Sequence, residues 1–226
     1  YHQADFFFEH FPKGLAFPVD AQLSDWDDLP CAAVDAFSID DASTTEIDDA
    51  FSLTYLDNAC IEVGIHIAAP ALGIAPNSVL DRIAMTRLST VYMPSDKITM
   101  LPACVSEAFS LIAGQTCPAL SLYVTLDADL NIISSRNALE NVPIVANLRI
   151  ESLELVFNAQ TVCQPNTPDY PFKVALEKLW QWANQLEIAR GKDNPNRAPQ
   201  IDFNIQVGAD EKVQIVPRER GAPIDK

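Results

Sequence analysis

Between Ala33 and Leu56 the chain reads apolar, then acidic, then apolar again, and no other stretch limits its possible folds so strongly. Asp40, Asp41, Glu46, Asp48 and Asp49 crowd into ten residues. Ala33-Val34 and Phe37 to Ile39 predict a strand entering the protein, and Phe51 to Leu56 predict a second strand leaving it. The carboxylates therefore belong to a connection held between two buried elements, not to a free acidic tail. Two carboxylates about 4 Å apart repel by roughly 4 kcal/mol at an effective dielectric near 20. Such a group protonates, splays apart, or takes up a hard divalent cation that prefers oxygen ligands. On a regular strand Glu46 and Asp48 would share one face and Asp49 would point the other way. Convergence of Asp40, Asp48 and Asp49 thus needs irregular backbone, which the small polar run Ala42-Ser43-Thr44-Thr45 can supply. The plainer alternatives are a solvated acidic loop, or a helix start capped by Ser43 or Thr44 with acids in its first turn. A calcium EF-hand does not fit, because the loop lacks glycine at its sixth position.

The remaining chemistry-bearing residues are sparse. Cys31, Cys60, Cys104, Cys117 and Cys163 show no Cys-x-x-Cys spacing, which predicts reduced, mostly buried thiols and an intracellular, cytoplasmic protein. His2, His10 and His66 lie far apart, so zinc has no evident ligand set. His66, within Gly64-Ile65-His66-Ile67-Ala68, reads first as a hydrogen-bonded strand histidine in or near the core. No apolar run approaches the length of a membrane span. The formal charge of -16 argues against a generic nucleic-acid coating protein, whose footprint is normally basic. An enzyme that meets RNA through divalent metals and a local basic path is compatible with that charge.

Along the chain, residues 1–30 read as the tail of a helix and an extended connector whose aromatics need a surface. Residues 31–71 predict strand, acidic loop, strand and strand, with Asp57-Asn58 as a turn. Asn77 to Arg87 predicts a short helix followed by a strand carrying Tyr92. Ala119 to Leu126 and Ile132 to Ala138 predict a hairpin, Val142 to Ile150 another strand, and Glu151 to Asn158 a helix. Thr161 to Pro171 reads as a linker. Phe172 to Arg190 is the clearest helix, closed by Gly191, with Trp180 and Trp182 as packing residues. Ile201 to Val207 and Val213 to Val216 predict a closing hairpin. The fold class expected is α+β, a mixed or antiparallel sheet core with helices packed over it.

The stretch Phe37 to Phe51 closely resembles the signature of the ribonuclease II family, that is, its RNB catalytic domain. Further matches follow in order: Val63-Gly64-Ile65-His66-Ile67-Ala68, Leu80-Asp81-Arg82-Ile83-Ala84, Arg87 to Pro94, Met100-Leu101-Pro102 and Phe109-Ser110-Leu111. The resemblance is specific over residues 31–127 and colinear beyond. It implies that residues 31–226 are the N-terminal part of an RNB domain behind a connector of residues 1–30. The family's later helices, with a glutamate and an arginine-containing motif, would follow Arg218-Glu219-Arg220-Gly221-Ala222-Pro223, and flanking oligonucleotide-binding domains would lie outside the chain. The implied activity is metal-dependent hydrolysis of single-stranded RNA from the 3′ end to 5′-nucleoside monophosphates. Magnesium, as one or two ions about 3.5–4 Å apart, with manganese as a substitute, would be the cofactor. Carried over by position, Asp40 and Asp49 are direct ligands and Asp48 serves the catalytically decisive ion or its water. Glu46 stands where relatives more often have aspartate, and its longer side chain acts through water. Tyr92 is the platform on which a base near the 3′ end stacks. Ala69 replaces an acid that relatives commonly carry. The alternative is a non-catalytic RNB-like scaffold that binds RNA or protein.

Overall fold

The computed structural model describes residues 11, 14–18, 22–93, 96–192, 200–207 and 212–226. The aromatic run before residue 11, Pro94 and most of the loop expected after Gly191 lie outside them. In chain order the elements are β1 (Ala36–Asp40), β2 (Asp49–Tyr55), β3 (Ile61–Ala68), α1 (Val79–Arg87), β4 (Val91–Met93), β5 (Asp96–Ile98) and α2 (Ala103–Ala108). They continue with β6 (Thr116–Leu126), β7 (Ile132–Arg149), α3 (Ile150–Leu153), α4 (Lys173–Ala189), β8 (Ile201–Val207) and β9 (Val213–Glu219). They divide into two compact units. One joins the residues up to Asp27 with Pro70–Ala108; the other joins Asp28–Ala69 with Phe109–Lys226.

The larger unit is α+β, as the sequence predicts, and its sheet closes into a barrel of β1, β2, β3, β6 and β7. Closure depends on β7. The two strands predicted at residues 132–138 and 142–150 are one strand of 18 residues. Its first part pairs antiparallel with β6, ending at Thr116↔Pro143. Its last part pairs parallel with β1, from Ala36↔Ile144 to Asp40↔Arg149. Pro143, which has no N–H to give a ladder, stands where the strand changes partner. Between β2 and β3 the chain turns through Asp57–Ala59, with Asn58 and Ala59 both at φ 59°.

Alternation along the strands sends one set of side chains into the barrel and the other outward. The outward residues Ile61, Val63, Val124 and Leu126 are buried beneath Trp182 of α4. Phe37, Leu153, Phe157, Val162 and Leu176 form a second cluster, with Trp180 packed against it. Phe172 stacks on Phe37 at 4.4 Å. Each such side chain withdrawn from water stabilises the fold by about 1.5–3 kcal/mol. Both tryptophans are thus packing residues, as expected. Gly191, at φ 64°, closes α4: its N–H bonds Ile188 O at 2.9 Å while Lys192 N–H reaches Glu187 O at 2.9 Å. The stretch expected as a linker is built into this core through Val162 and Tyr170. The helix expected over residues 151–158 is shorter: α3 stops at Leu153 and Asn158 then bonds the Glu154 carbonyl at 2.9 Å. A separate hairpin, β8–β9, is tied to this unit by Arg218, which pairs with Glu154 at 2.5 Å and Asp225 at 2.8 Å.

In the smaller unit Ser78 caps α1, accepting from Asp81 N–H at 3.1 Å. Arg87 gathers the N-terminal stretch: it donates to Thr99 O at 2.7 Å and Leu15 O at 2.8 Å, and lies 4.2 Å from the Phe17 ring centroid. Part of the surface sought by the early aromatics is therefore this guanidinium. The thiols depart from expectation. Only Cys117 is buried, with its pKa pushed up to about 12 by desolvation, whereas Cys31, Cys104 and Cys163 are exposed. Among the described residues no helix is long and apolar enough to cross a membrane.

Candidate active site

The acidic segment joins β1 to β2 as irregular chain, and no helix starts at Ser43 or Thr44. It turns at once, with Thr44 N–H bonding Asp41 O at 3.0 Å. What fixes its far side is the one large apolar residue among the acids. Ile47 is buried against Ala36, Ala50, Leu111, Val142 and Ile144. Its N–H donates to Ser110 Oγ at 2.8 Å and its carbonyl accepts from Leu111 N–H at 2.9 Å. With Ile47 held inside, its neighbours Glu46 and Asp48 are left at the rim. Asp48 O then accepts from Ala68 N–H at 2.9 Å, and Asp49 opens β2 opposite Ile67.

Asp40 ends β1, and its Oδ2 accepts from Ser38 Oγ at 2.6 Å. Asp48 and Asp49 keep contact with solvent. Even so, both carboxyls are held above the ordinary carboxylate value. For Asp48 the cause is desolvation by the surrounding protein, then the charges of Glu46, Asp49 and Asp40; for Asp49 it is desolvation, then Asp40. The structure thus places Asp48 within electrostatic reach of Glu46, Asp49 and Asp40, and Asp49 within reach of Asp40. It does not bring them into one cage: among the described residues no three His, Cys, Asp or Glu side chains form a group ready to hold a metal. The donor set nonetheless suits a hard divalent cation, because a cation between these oxygens would counter both the burial and the neighbouring charges that raise Asp48 and Asp49.

Tyr92 stands on β4 opposite Lys97 and is 71% exposed. It belongs to the smaller unit. His66 is fully buried, its Nε2 2.9 Å from Ser52 Oγ and its Nδ1 2.8 Å from Ser121 Oγ. Desolvation lowers its pKa to about 4, against a smaller opposing pull from Glu140. It is the interior strand histidine the sequence suggested.

Sequence reasoning missed a set of residues at the end of β7 and the start of α3. Asn147 Nδ2 donates to Ser38 Oγ at 2.9 Å, Arg149 Nη1 to Asp41 O at 2.9 Å, and Glu151 accepts from Ala42 N–H at 3.0 Å. They lie more than a hundred residues along the chain from Ser38, Asp41 and Ala42, which they touch. Only the parallel register of β1 and β7 reveals the contact.

Comparison with known proteins gives this geometry a context. The chain is 32% identical over 184 residues to an uncharacterized ribonuclease of Synechocystis sp., covering 81% of this chain and 26% of that protein. It is 32% identical over 168 residues to exoribonuclease 2 of Escherichia coli, covering 74% of this chain and 25% of that one. The chain therefore spans about a quarter of the length of these curated relatives. Among solved structures it resembles Mycoplasma genitalium RNase R in complex with ribose-methylated single-stranded RNA, with a TM-score of 0.68 at 17% identity, over 95% of this chain and 33% of that one. It also resembles yeast Ssd1, described as a pseudonuclease, with a TM-score of 0.60 at 20% identity, over 87% of this chain and 26% of that one. A family model, RNB domain, matches residues 29–223. On that match and those identities, the chain belongs to the RNB domain family.

Proposed function

We propose that this protein is a metal-dependent exoribonuclease that hydrolyses single-stranded RNA from its 3′ end and releases 5′-nucleoside monophosphates. The observation that carries the reading is the raised carboxyl of Asp48, pressed by Glu46, Asp49 and Asp40 at the rim of the barrel. A family of ribonucleases and a set of mutually repelling oxygen donors point to the same chemistry. Asp40, Asp48 and Asp49 would hold magnesium, or manganese in its place, with Glu46 acting through water. When bound, such ions supply Lewis-acid activation of water and neutralise charge on the leaving 3′ oxygen. The chain's own contribution is to orient the acids: Ile47 anchors the loop and Ser38 fixes one oxygen of Asp40. Tyr92 would stack a base of the RNA.

The test is release of nucleotides from single-stranded RNA carrying a 3′-terminal label, with and without magnesium. Metal-dependent release of labelled mononucleotide, abolished in Asp48→Asn while RNA binding persists, is the expected result. Wild-type turnover in Asp48→Asn would overturn it. A second reading, a binding scaffold without catalysis, is favoured by one observation: the acids do not form a ready cage among the described residues. It predicts RNA binding without magnesium-dependent loss of the label.

A further inference from the structure

Three side chains at two-residue intervals, spanning the junction of β7 and α3, hold the end of β1 and the acidic segment that follows it. Ser38 and Asn147 are cross-strand neighbours in the parallel ladder, as are Asp40 and Arg149. Asn147 donates one amide proton to Ser38 Oγ at 2.9 Å and another to the Leu111 carbonyl at 2.9 Å, while its Oδ1 accepts from Ala113 N–H at 2.8 Å. Its orientation is therefore fixed from three sides. Ser38, fully buried, has in turn a single proton, which it gives to Asp40 Oδ2 at 2.6 Å. Arg149 Nη1 reaches two carbonyls of the loop, Asp41 O at 2.9 Å and Thr44 O at 3.4 Å. Both oxygens of Glu151 take the Ala42 N–H, at 3.0 and 3.1 Å.

One internal bond, Thr44 N–H to Asp41 O, spans the turn of the loop, and residues 41–43 are exposed. A run of like charges there favours splaying. The contacts from β7 and α3 oppose that tendency: Arg149 bonds two backbone carbonyls of the loop, and the neutral Asn147 reaches Asp40 through Ser38.

We propose that Asn147, Arg149 and Glu151 form a brace that positions the Asp40 carboxylate and the loop backbone at residues 41–44 for divalent-ion binding. They are positioning residues, not catalytic ones: each acts through Ser38 or the backbone. The inference rests on the reading of the acid cluster as the nuclease site.

The experiment compares the wild-type protein with Asn147→Ala, Arg149→Ala, Glu151→Ala and Glu151→Gln. Manganese affinity is read by calorimetry, kcat and KM on single-stranded RNA, and amide hydrogen exchange over residues 41–46. Loss of an outer partner of a metal ligand typically weakens metal affinity by 10–100-fold. The three alanine variants should weaken manganese binding roughly tenfold, lower kcat more than KM, and speed exchange in the loop alone. Glu151→Gln keeps a carbonyl acceptor for Ala42 N–H and should restore most of each readout. Variants that lose melting temperature but keep wild-type manganese affinity and loop exchange would overturn the brace and leave the nuclease reading standing. If the wild-type protein neither binds manganese nor cleaves RNA, the nuclease reading fails. Exchange then decides the brace alone: unchanged loop protection in the alanine variants would overturn it.

Discussion

Gly64 makes room for His66. A methyl group built on Gly64 would stand 2.6 Å from His66 Nε2 and 2.3 Å from Ser52 Oγ, the group to which that nitrogen is bonded. The barrel interior at this level holds a histidine between two serines, and the missing side chain of Gly64 is what lets the ring lie there.

Gly64→Ala should therefore be costly, although alanine is otherwise the mildest replacement. Overpacking of a tight interior costs typically 1–3 kcal/mol, and a displaced His66 would lose partners for buried polar atoms. A destabilisation of about 3 kcal/mol in urea unfolding is expected. Adding Ser52→Ala removes the closest contact, so the double variant should lose less than the sum of the two single ones. Strict additivity would mean that the clash is relieved elsewhere.

His66 also sets a pH dependence. Its pKa falls from 6.5 to about 4 on folding, so the unfolded chain binds the extra proton between those values. Stability is then fully present above pH 6.5 and is lost as the pH falls toward 4. At up to about 1.4 kcal/mol per pH unit, roughly 2 kcal/mol should disappear between pH 6.5 and 5. Urea unfolding across that range measures the loss, and the His66 imidazole proton shift should stay at its neutral position down to about pH 5. A ring that titrates near 6.5 in the folded protein would refute the buried, neutral assignment.

Much of this was legible in the sequence, and the exceptions have physical causes. The acidic connection, the interior histidine, the hairpin after Leu126 and the long helix α4 follow from local periodicity. The single strand β7 reads as two, Ile132 to Ala138 and Val142 to Ile150, because the polar pair Glu140-Asn141 interrupts the apolar pattern; the ladder with β6 runs on through them to Pro143, and the partner then changes to β1. The thiols were misjudged because a cysteine's burial is set by its place in the fold: Cys117 faces the core cluster with Ala119 and Val142, while Cys31 and Cys163 lie on exposed chain. Ile47 was visible as an apolar residue among acids, but nothing local says that it is an anchor. Asn147, Arg149 and Glu151 depend on a parallel pairing across more than a hundred residues, which no local pattern encodes.

The acid cluster carries a strain that substitution should release. The Asp48 carboxyl is raised above its ordinary value of 3.8 by desolvation and by three neighbouring charges. Stability therefore declines as the pH rises from that value through the raised one, and stays at the lower level at neutral pH. Asp48→Asn removes the charge. Because the group is solvent-exposed and screened, the gain should stay below about 1 kcal/mol, a rise of ~2 °C in Tm without divalent ions. Magnesium should raise the Tm of the wild-type protein and raise that of Asp48→Asn less. A variant that melts lower than wild type without magnesium would show that Asp48 is held by attraction and not by crowding.

Tyr92 offers the sharpest separation between binding and chemistry. At 71% exposure its ring contributes little to the fold, so Tyr92→Ala should leave the Tm within about 1 °C, as surface changes usually do. A base stacked on an aromatic ring is worth about 1–3 kcal/mol, a factor of roughly 5 to 150 in affinity. That loss matters most for RNA too short to be held elsewhere. Tyr92→Ala is therefore expected to release longer final fragments from single-stranded RNA while the initial rate on long substrate stays within about twofold. Denaturing gels of end-labelled RNA read both quantities in one time course. An unchanged final fragment length, at unchanged rate, would remove Tyr92 from the RNA path.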